Sequence, residues 1–256
     1  KTANKGLKLS NKDVILINSD TEVSYQWIEK LQKAAYINNK IATVTPLSNN
    51  ANIFSINCSN ILSQKNGIHK INEILNKNFN QKYLETPTCH GFCFYIKRST
   101  INKIGYFDYK NYPVAYCEEN DFSQRCINNG LLNIITCDTF IFHKGRQSHG
   151  EEMRNKLLEK NYQTLLKKYP TYVKQLNSFT NHNYLKPIQK IIDKTEKQIL
   201  KIIFFSHSSQ LAGAERSMLE LIKELKNKNI FSHVVLPNEG PLQQELEKID
   251  IPYDIV

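Results

Sequence analysis

One short segment constrains the fold of this chain more than any other, because an apolar run ends abruptly in a polar turn with a single carboxylate. The run is Val14–Ile17, and Asp20 follows it closely. A helical spacing of apolar residues then begins at Trp27. This pattern predicts a buried strand of an α/β sheet whose carboxyl end delivers the acid to a ligand-binding edge. Asp20 is then either a ligand for a hard cation such as Mg²⁺ or Mn²⁺, or a cap for the next helix.

A second acidic segment carries three carboxylates within four residues, at Glu118, Glu119 and Asp121. Apolar residues at helical spacing follow, and Asn129 with the next glycine marks a helix stop. The acids therefore fall in the first helical turn, where the helix dipole favours them without any functional reason. Like charges this close also raise one another's pKa. A carboxylate with a raised pKa beside a substrate hydroxyl would be a general base.

Other segments predict the rest of the first half of the fold. Apolar runs that predict buried strands lie at 41–46, 92–96 and 131–136. Apolar residues at helical spacing lie near 68–76 and over 158–169. The Asn/Ser-rich stretch 47–66 predicts a mobile loop, and the polar, Lys-rich stretch 171–198 predicts an interdomain linker with a possible helix.

The last part of the chain changes character. A buried-strand pattern at 200–205 and a second strand pattern at 233–236 alternate with two amphipathic helix patterns and lead to a further strand at 253–256. This βαβαβ order is typical of the opening of a doubly wound sheet. The first turn lacks a GxGxxG fingerprint, which argues against a dinucleotide site. We therefore predict domains at 1–170 and 199–256, joined by the linker 171–198.

Charge and cysteine content limit the class of protein. The formal net charge is +10, from 34 Lys and Arg against 24 Asp and Glu. The basic residues are scattered without interleaved aromatics, so the charge favours an anionic membrane surface or diphosphate ligands over nucleic acid. No apolar run approaches the length of a membrane span. Six cysteines without a CxxC pair predict a reduced, cytoplasmic chain in which they pack as small hydrophobes.

Four motifs together resemble the second half of a GT-A-type glycosyltransferase of family 2. They are NSDTEV at 18–23, GFCFYIKRS at 91–99 with IGYFD at 104–108, EEND at 118–121, and HKGRQS at 143–148. They occur in the order of that family and span about half of the chain. The resemblance implies that a nucleotide-binding strand lies upstream of Lys1, so we expect the chain to be a fragment that is inactive by itself.

The resemblance also implies roles for individual residues. Asp20 would hold Mg²⁺ or Mn²⁺ on the donor diphosphate, and His143 would be a second metal ligand, a diphosphate contact or only a loop histidine. Glu119 would be the catalytic base, with Glu118 and Asp121 orienting it and the acceptor. The remaining donor-side residues would be Asn18, Arg146 and Ser148, and the acceptor-side residues Gly91, Phe92 and Asp108. Asn18 and Glu119 depart from the family, which more often has Asp at both positions.

Residues 199–256 resemble the start of a GT-B-type glycosyltransferase of family 4, whose first loop is similar to Gly213-Ala214-Glu215. Together the two resemblances imply a metal-dependent, inverting hexosyl- or deoxyhexosyltransferase of bacterial surface polysaccharide synthesis. Its donor would be a nucleotide-sugar, and its acceptor a glycan or lipid-linked glycan at the inner membrane face. The alternative is a non-catalytic module that binds a carbohydrate or a partner on a degenerate transferase fold.

Overall fold

The structure is a computed structural model that describes residues 2–114, 116–145, 151–197, 200–228 and 230–256. The chain divides into two compact units. The first contains residues 1–56 and 72–189, and the second contains residues 57–71 and 190–256. Both units are α/β in composition.

Helices and strands alternate along most of the chain. The α-helices are α1 (Thr2–Lys8), α2 (Trp27–Tyr36), α3 (Ser59–Leu62), α4 (Gly67–Phe79), α5 (Arg98–Ile104), α6 (Glu118–Asn128), α7 (Glu151–Lys168), α8 (Tyr172–His182), α9 (Lys186–Lys197), α10 (Gly213–Asn227) and α11 (Pro241–Lys248). The strands are β1 (Val14–Ile17), β2 (Thr21–Glu22), β3 (Ile41–Leu47), β4 (Tyr83–Glu85), β5 (Cys93–Ile96), β6 (Leu132–Phe140), β7 (Phe142–His143), β8 (Lys201–Phe205), β9 (Phe231–Leu236) and β10 (Tyr253–Ile255).

The first unit is organised by a mixed five-stranded sheet in the order β1-β5-β3-β6-β4. β3 and β6 are parallel, whereas β1, β5 and β4 join antiparallel neighbours. Every residue of the central strand β3 is buried, as its run of apolar and β-branched residues predicts for a strand covered on both faces. β1 pairs with β5 so that Ile17 lies opposite Cys93, and this register places the turn after β1 beside the loop before β5.

An aromatic core fixes the acidic helix against this sheet. Phe94, Phe107 and Phe122 are buried, with ring centroids 5.1 to 6.1 Å apart. Phe122 belongs to α6, so the geometry of the cluster positions the first turn of α6 next to the loop that precedes β5. The prediction that the three acids begin a helix is confirmed.

The stretch that we expected to be a linker with a possible helix, 171–198, folds into two helices, α8 and α9. Tyr172 and Phe179 of α8 are buried in the first unit. Tyr172 packs with Leu165 of α7 and with Tyr169, which follows α7, and accepts a hydrogen bond from Asn120 at 2.9 Å. The sequence pattern was difficult to recognise because these helices are rich in Lys and Asn on their exposed faces.

The Asn/Ser-rich stretch 47–66 also differs from the predicted mobile loop. Within the first unit it forms a short 3₁₀ turn, and Ala51, Phe54 and Ile56 are buried. Asn49 and Asn50 make hydrogen bonds to a strand that is distant in sequence. The polar composition suggested a solvent-exposed loop, but the Asn49 side-chain amide and the Asn50 backbone carbonyl hold this stretch against the strand.

The second unit contains the predicted βαβαβ order, with parallel strands arranged β10-β9-β8. Its core includes Leu219 and Ile222 of α10, Val234 and Leu236 of β9, and Leu242 of α11. β8, expected to be buried, alternates in exposure instead. The cause is its position at the sheet edge with one face uncovered in this unit.

All six cysteines are free and buried, which confirms that they pack as small hydrophobes. Across the described ranges of the chain, no helix has the length and apolar content needed to cross a membrane.

Candidate functional site

The short ribbon formed by β2 and β7 brings together two residues that are far apart in sequence. Thr21 pairs with His143 in this ribbon, and the Lys144 N–H donates to the Asp20 carbonyl at 2.9 Å. As a result, Asp20 Oδ1 lies 3.5 Å from His143 Nε2. The alternative that His143 is a loop histidine is therefore corrected, because His143 is a residue of strand β7 that pairs with Thr21, next to Asp20.

Two asparagines from the stretch after β3 orient the imidazole of His143. Its Nδ1 lies 2.6 Å from the Asn50 carbonyl oxygen, which can only accept. Nδ1 therefore donates, and Nε2 of the neutral ring presents a lone pair. Asn49 clamps the backbone of His143 by accepting from its N–H at 2.9 Å and donating to its carbonyl at 3.1 Å. Metal-ligating histidines are usually oriented in this way.

The Asp20–His143 pair fits a divalent cation as a partial ligand set. Asp20 Oδ1 and His143 Nε2, two atoms of the kind that can ligate a metal, lie 3.5 Å apart. Asn18 Nδ2 lies 3.5 Å from the same nitrogen. Among the residues that the structure describes, no group of three or more metal-ligating side chains occurs. Mg²⁺ and Mn²⁺ sites of this size take their remaining ligands from water and phosphate oxygens.

Two consecutive residues of the loop before β5 connect this pair to the acidic helix. Phe92 is fully buried and stacks on His143, with ring centroids 5.4 Å apart and an interplanar angle of 25°. Its carbonyl accepts from the Asn18 N–H at 2.9 Å. The neighbouring Gly91 N–H donates to the Glu119 carboxylate. A Cβ at Gly91 would lie 3.7 Å from Glu119 Oε1, so the backbone of Gly91 packs closely against the Glu119 carboxylate.

The Glu119 carboxyl is held in an environment that disfavours its charge. Burial first, and then the neighbouring Glu118 carboxylate, raise its pKa to about 8, against the opposing effect of hydrogen bonds from its own N–H and from Gly91. Burial also raises the pKa of Glu118. Within the described part of the chain, Glu118 Oε2 is buried without a hydrogen-bond partner. The pair therefore combines one carboxyl poised to exchange a proton near neutral pH with a second that modulates it.

Asp121 lies in a different environment from the one that the resemblance implied. Its side chain is fully buried and accepts from Arg125 at 2.8 Å, from Lys168 at 2.6 Å and from the Tyr169 hydroxyl at 2.9 Å. Burial alone would lower the pKa of Lys168, but the hydrogen bonds and charges of Asp121 and Asp108 raise it. These contacts occupy both carboxylate oxygens, so Asp121 anchors α7 to α6, and the geometry does not support a contact with the acceptor.

Asp108 is likewise engaged in structure. Its carboxylate accepts from the backbone and side-chain N–H groups of Asn111 at 3.1 and 2.7 Å, and Lys168 lies 3.4 Å away. Burial by itself would raise the pKa of Asp108. The combined effect of the Asn111 and Lys168 contacts is larger and opposite, so the pKa of Asp108 is lowered overall. This arrangement caps the turn after β5 and α5; the acceptor-side role stays a prediction. Arg146 and Ser148 lie outside the described residues.

Sequence reasoning missed three residues of this region: Asn49, Asn50 and His90. His90 lies between Phe54 and Phe92, with ring centroids 6.2 and 5.5 Å away, and 6.4 Å from the His143 ring. Their positions in the sequence could have identified these residues as part of the site. The asparagines follow the carboxyl end of a buried strand, and His90 directly precedes Gly91.

Comparison with known proteins identifies no family for this chain. No family model matches it, and no curated protein matches it. A solved structure described as GalNAc-T7 with UDP, GalNAc and Mn²⁺ aligns with 75% of this chain at 12% identity and a TM-score of 0.44. The chain spans 39% of that protein's length. A similarity of this size carries no functional argument, so the interpretation rests on the geometry of this chain.

Proposed function

We propose that the first unit is part of a glycosyltransferase that uses a nucleotide-sugar. The observation that carries the proposal is the arrangement Asp20–His143–Phe92–Gly91–Glu119, in which a cation-type pair and a carboxyl of raised pKa are joined through two consecutive loop residues. A transferase needs these two elements on either side of the sugar, one for the departing diphosphate and one for the incoming hydroxyl. The motif resemblance implies the same roles for Asp20 and Glu119, and a metal ligand is one of the roles that it allows for His143.

The chemistry that we propose is a single displacement. Glu119 in its charged form removes the proton from an acceptor hydroxyl as that oxygen forms a bond to the anomeric carbon. The bond from that carbon to the diphosphate oxygen breaks, and its electron pair leaves with the nucleoside diphosphate, which gives inversion. Asp20 and His143 would hold Mg²⁺ or Mn²⁺, which when bound neutralises charge on the diphosphate. The Asn49 and Asn50 contacts keep Nε2 of His143 directed at that position.

The finer features of the assignment rest on the resemblance alone. They are the bacterial polysaccharide setting, the lipid-linked acceptor, the cytoplasmic location, and the GT-B-type identity of residues 199–256. We propose them as the context in which this chemistry would operate. The high positive charge of the chain, +10, supports an anionic partner such as a diphosphate or a membrane surface.

The test is turnover of a panel of nucleotide-sugars by the protein expressed from its complete reading frame, with Mn²⁺ or Mg²⁺ present. We expect Asp20→Asn to weaken Mn²⁺-dependent donor binding in calorimetry, whereas Glu119→Gln retains that binding and loses turnover by at least about 100-fold. Glu22→Gln is the matched control, since Glu22 lies next to the pair in β2 but faces no predicted ligand. Donor binding without any turnover by the wild type would favour the non-catalytic module, and full turnover by Glu119→Gln would exclude Glu119 as the base.

A further inference from the structure

Within the proposed site, His90 has one ring nitrogen committed to the fold and one that is not. The Phe92 N–H donates to Nδ1 of His90 at 3.2 Å, so Nδ1 must carry a lone pair. The proton of the neutral ring is then on Nε2. In the described part of the chain, no hydrogen bond uses Nε2, and this atom is not one of the buried polar atoms without a partner. Nε2–H is therefore a donor that is not sealed from solvent, in a residue that is partly buried.

The position of His90 places that donor between the two halves of the site. On one side, the His90 ring centroid lies 6.4 Å from that of His143, which belongs to the Asp20–His143 pair. The next residue along the chain, Gly91, donates to the Glu119 carboxylate. Edge-to-face contacts with Phe54 and Phe92 fix the ring plane, and the His90 N–H donates to Thr45 Oγ1 at 3.3 Å. A donor held this rigidly loses little entropy when it binds a ligand.

We propose that His90 is a positioning residue that donates a hydrogen bond from Nε2–H to a hydroxyl oxygen of the transferred sugar. This inference rests on the proposed function, because it requires a sugar between the Asp20–His143 pair and Glu119. Because Nδ1 accepts from the Phe92 N–H, the ring is held as a neutral Nε2–H donor. A neutral donor suits an uncharged hydroxyl, whereas a site for a phosphate oxygen would favour a cationic group.

Two substitutions separate the two nitrogens of His90. His90→Asn retains an acceptor near the Nδ1 position for the Phe92 N–H but removes the outer donor. His90→Gln retains a donor near the Nε2 position but loses that internal acceptor. For a hydrogen-bonding role we expect His90→Asn to weaken binding of the nucleotide-sugar about tenfold and His90→Gln to weaken it less. If His90 served only the fold, His90→Gln would be the more damaging change, and thermal unfolding of both variants would show it.

The decisive measurement is long-range ¹H–¹⁵N NMR of ¹⁵N-histidine-labelled protein from the complete reading frame, titrated with UDP-glucose, UDP-N-acetylgalactosamine or GDP-mannose and Mg²⁺. UDP or GDP with Mg²⁺ is the control that lacks the sugar, and His90→Asn assigns the resonance. We expect a nucleotide-sugar to shift His90 Nε2 and the nucleotide alone to shift only His143. A His143 shift with His90 unmoved would overturn the role of His90 and leave the proposed function standing. An equal His90 shift with UDP alone would assign His90 to the nucleotide instead, and no shift at either histidine with any donor would overturn both proposals.

Discussion

Replacing Glu119 by Gln is expected to stabilise the first unit, and to do so increasingly as the pH rises. The fold raises the pKa of this carboxyl from its ordinary 4.5 to about 8. The folded protein therefore holds a proton that the unfolded chain releases above about pH 4.5. A raised pKa contributes stability that is complete below the unfolded value and is lost as the pH rises through the folded value. Gln carries no charge at any pH and avoids this loss.

The magnitude follows from the same pKa. A difference from 4.5 to about 8 corresponds to about 5 kcal/mol at about 1.4 kcal/mol per pH unit, which is an upper bound. Two effects reduce it, because Glu119 as a whole residue is only partly buried and because Glu118 titrates with it. The side-chain oxygen of the glutamine in Glu119→Gln would still accept a hydrogen bond from the Gly91 N–H, so the contact with the Gly91 backbone is retained. We expect a gain of about 2 kcal/mol at pH 8 and almost none at pH 4.5.

The assay is urea unfolding from pH 4.5 to pH 9, followed by the fluorescence of Trp27. Trp27 is the single tryptophan and belongs to the same unit as Glu119, so its signal reports the relevant transition. Glu73→Gln is the matched control, because Glu73 is an exposed helical residue of that unit, and its effect should stay within about 0.5 kcal/mol at every pH. A stability difference for Glu119→Gln that does not change with pH would refute the reasoning, as would a loss of stability at pH 8.

Three further predictions concern neighbouring groups. Asp121→Asn should cost about 3 kcal/mol in urea unfolding, because it leaves the Lys168 and Arg125 charges without their buried partner; a cost below about 1 kcal/mol would show that Asp121 is not a structural anchor. Turnover should rise with pH through an apparent pKa near that of Glu119, about 8, and Glu118→Gln should move this value downwards; a profile unchanged in Glu118→Gln would exclude coupling between the two acids. Asn49→Ala should weaken Mn²⁺ binding about tenfold in calorimetry by releasing the clamp on the His143 backbone, and unaltered Mn²⁺ binding would mean that the clamp does not orient the ligand.

Local patterns in the sequence were sufficient for the elements with clear periodicity. The run Val14–Ile17, the acidic first turn of α6 and the alternation over the last sixty or so residues all depend on side chains close in sequence, and the structure confirms them as a strand, a helix start and a βαβαβ order. The prediction that Val14–Ile17 is buried was wrong, because β1 lies at the sheet edge, where its residues are only partly buried and Ile17 is exposed. The βαβαβ order is therefore readable without tertiary information. Helices α8 and α9 were the exceptions, since few of their residues are apolar and their stability depends on packing rather than on composition.

What the sequence determined about the site was the kind of chemistry at each position, namely a lone acid after a strand, a cluster of acids at a helix start and a histidine after a later strand. Only the tertiary structure decided which of these act together. Pairing of β2 with β7 places His143 opposite Asp20, and the register of β1 on β5 places the loop at Gly91 and Phe92 between that pair and Glu119. The structure engages both carboxylate oxygens of Asp121 in contacts with Arg125, Lys168 and Tyr169, so Asp121 anchors the helices. The physical reason is that strand pairing and ion pairing are long-range contacts, whose partners are set by the whole fold and leave no periodic signal in the chain.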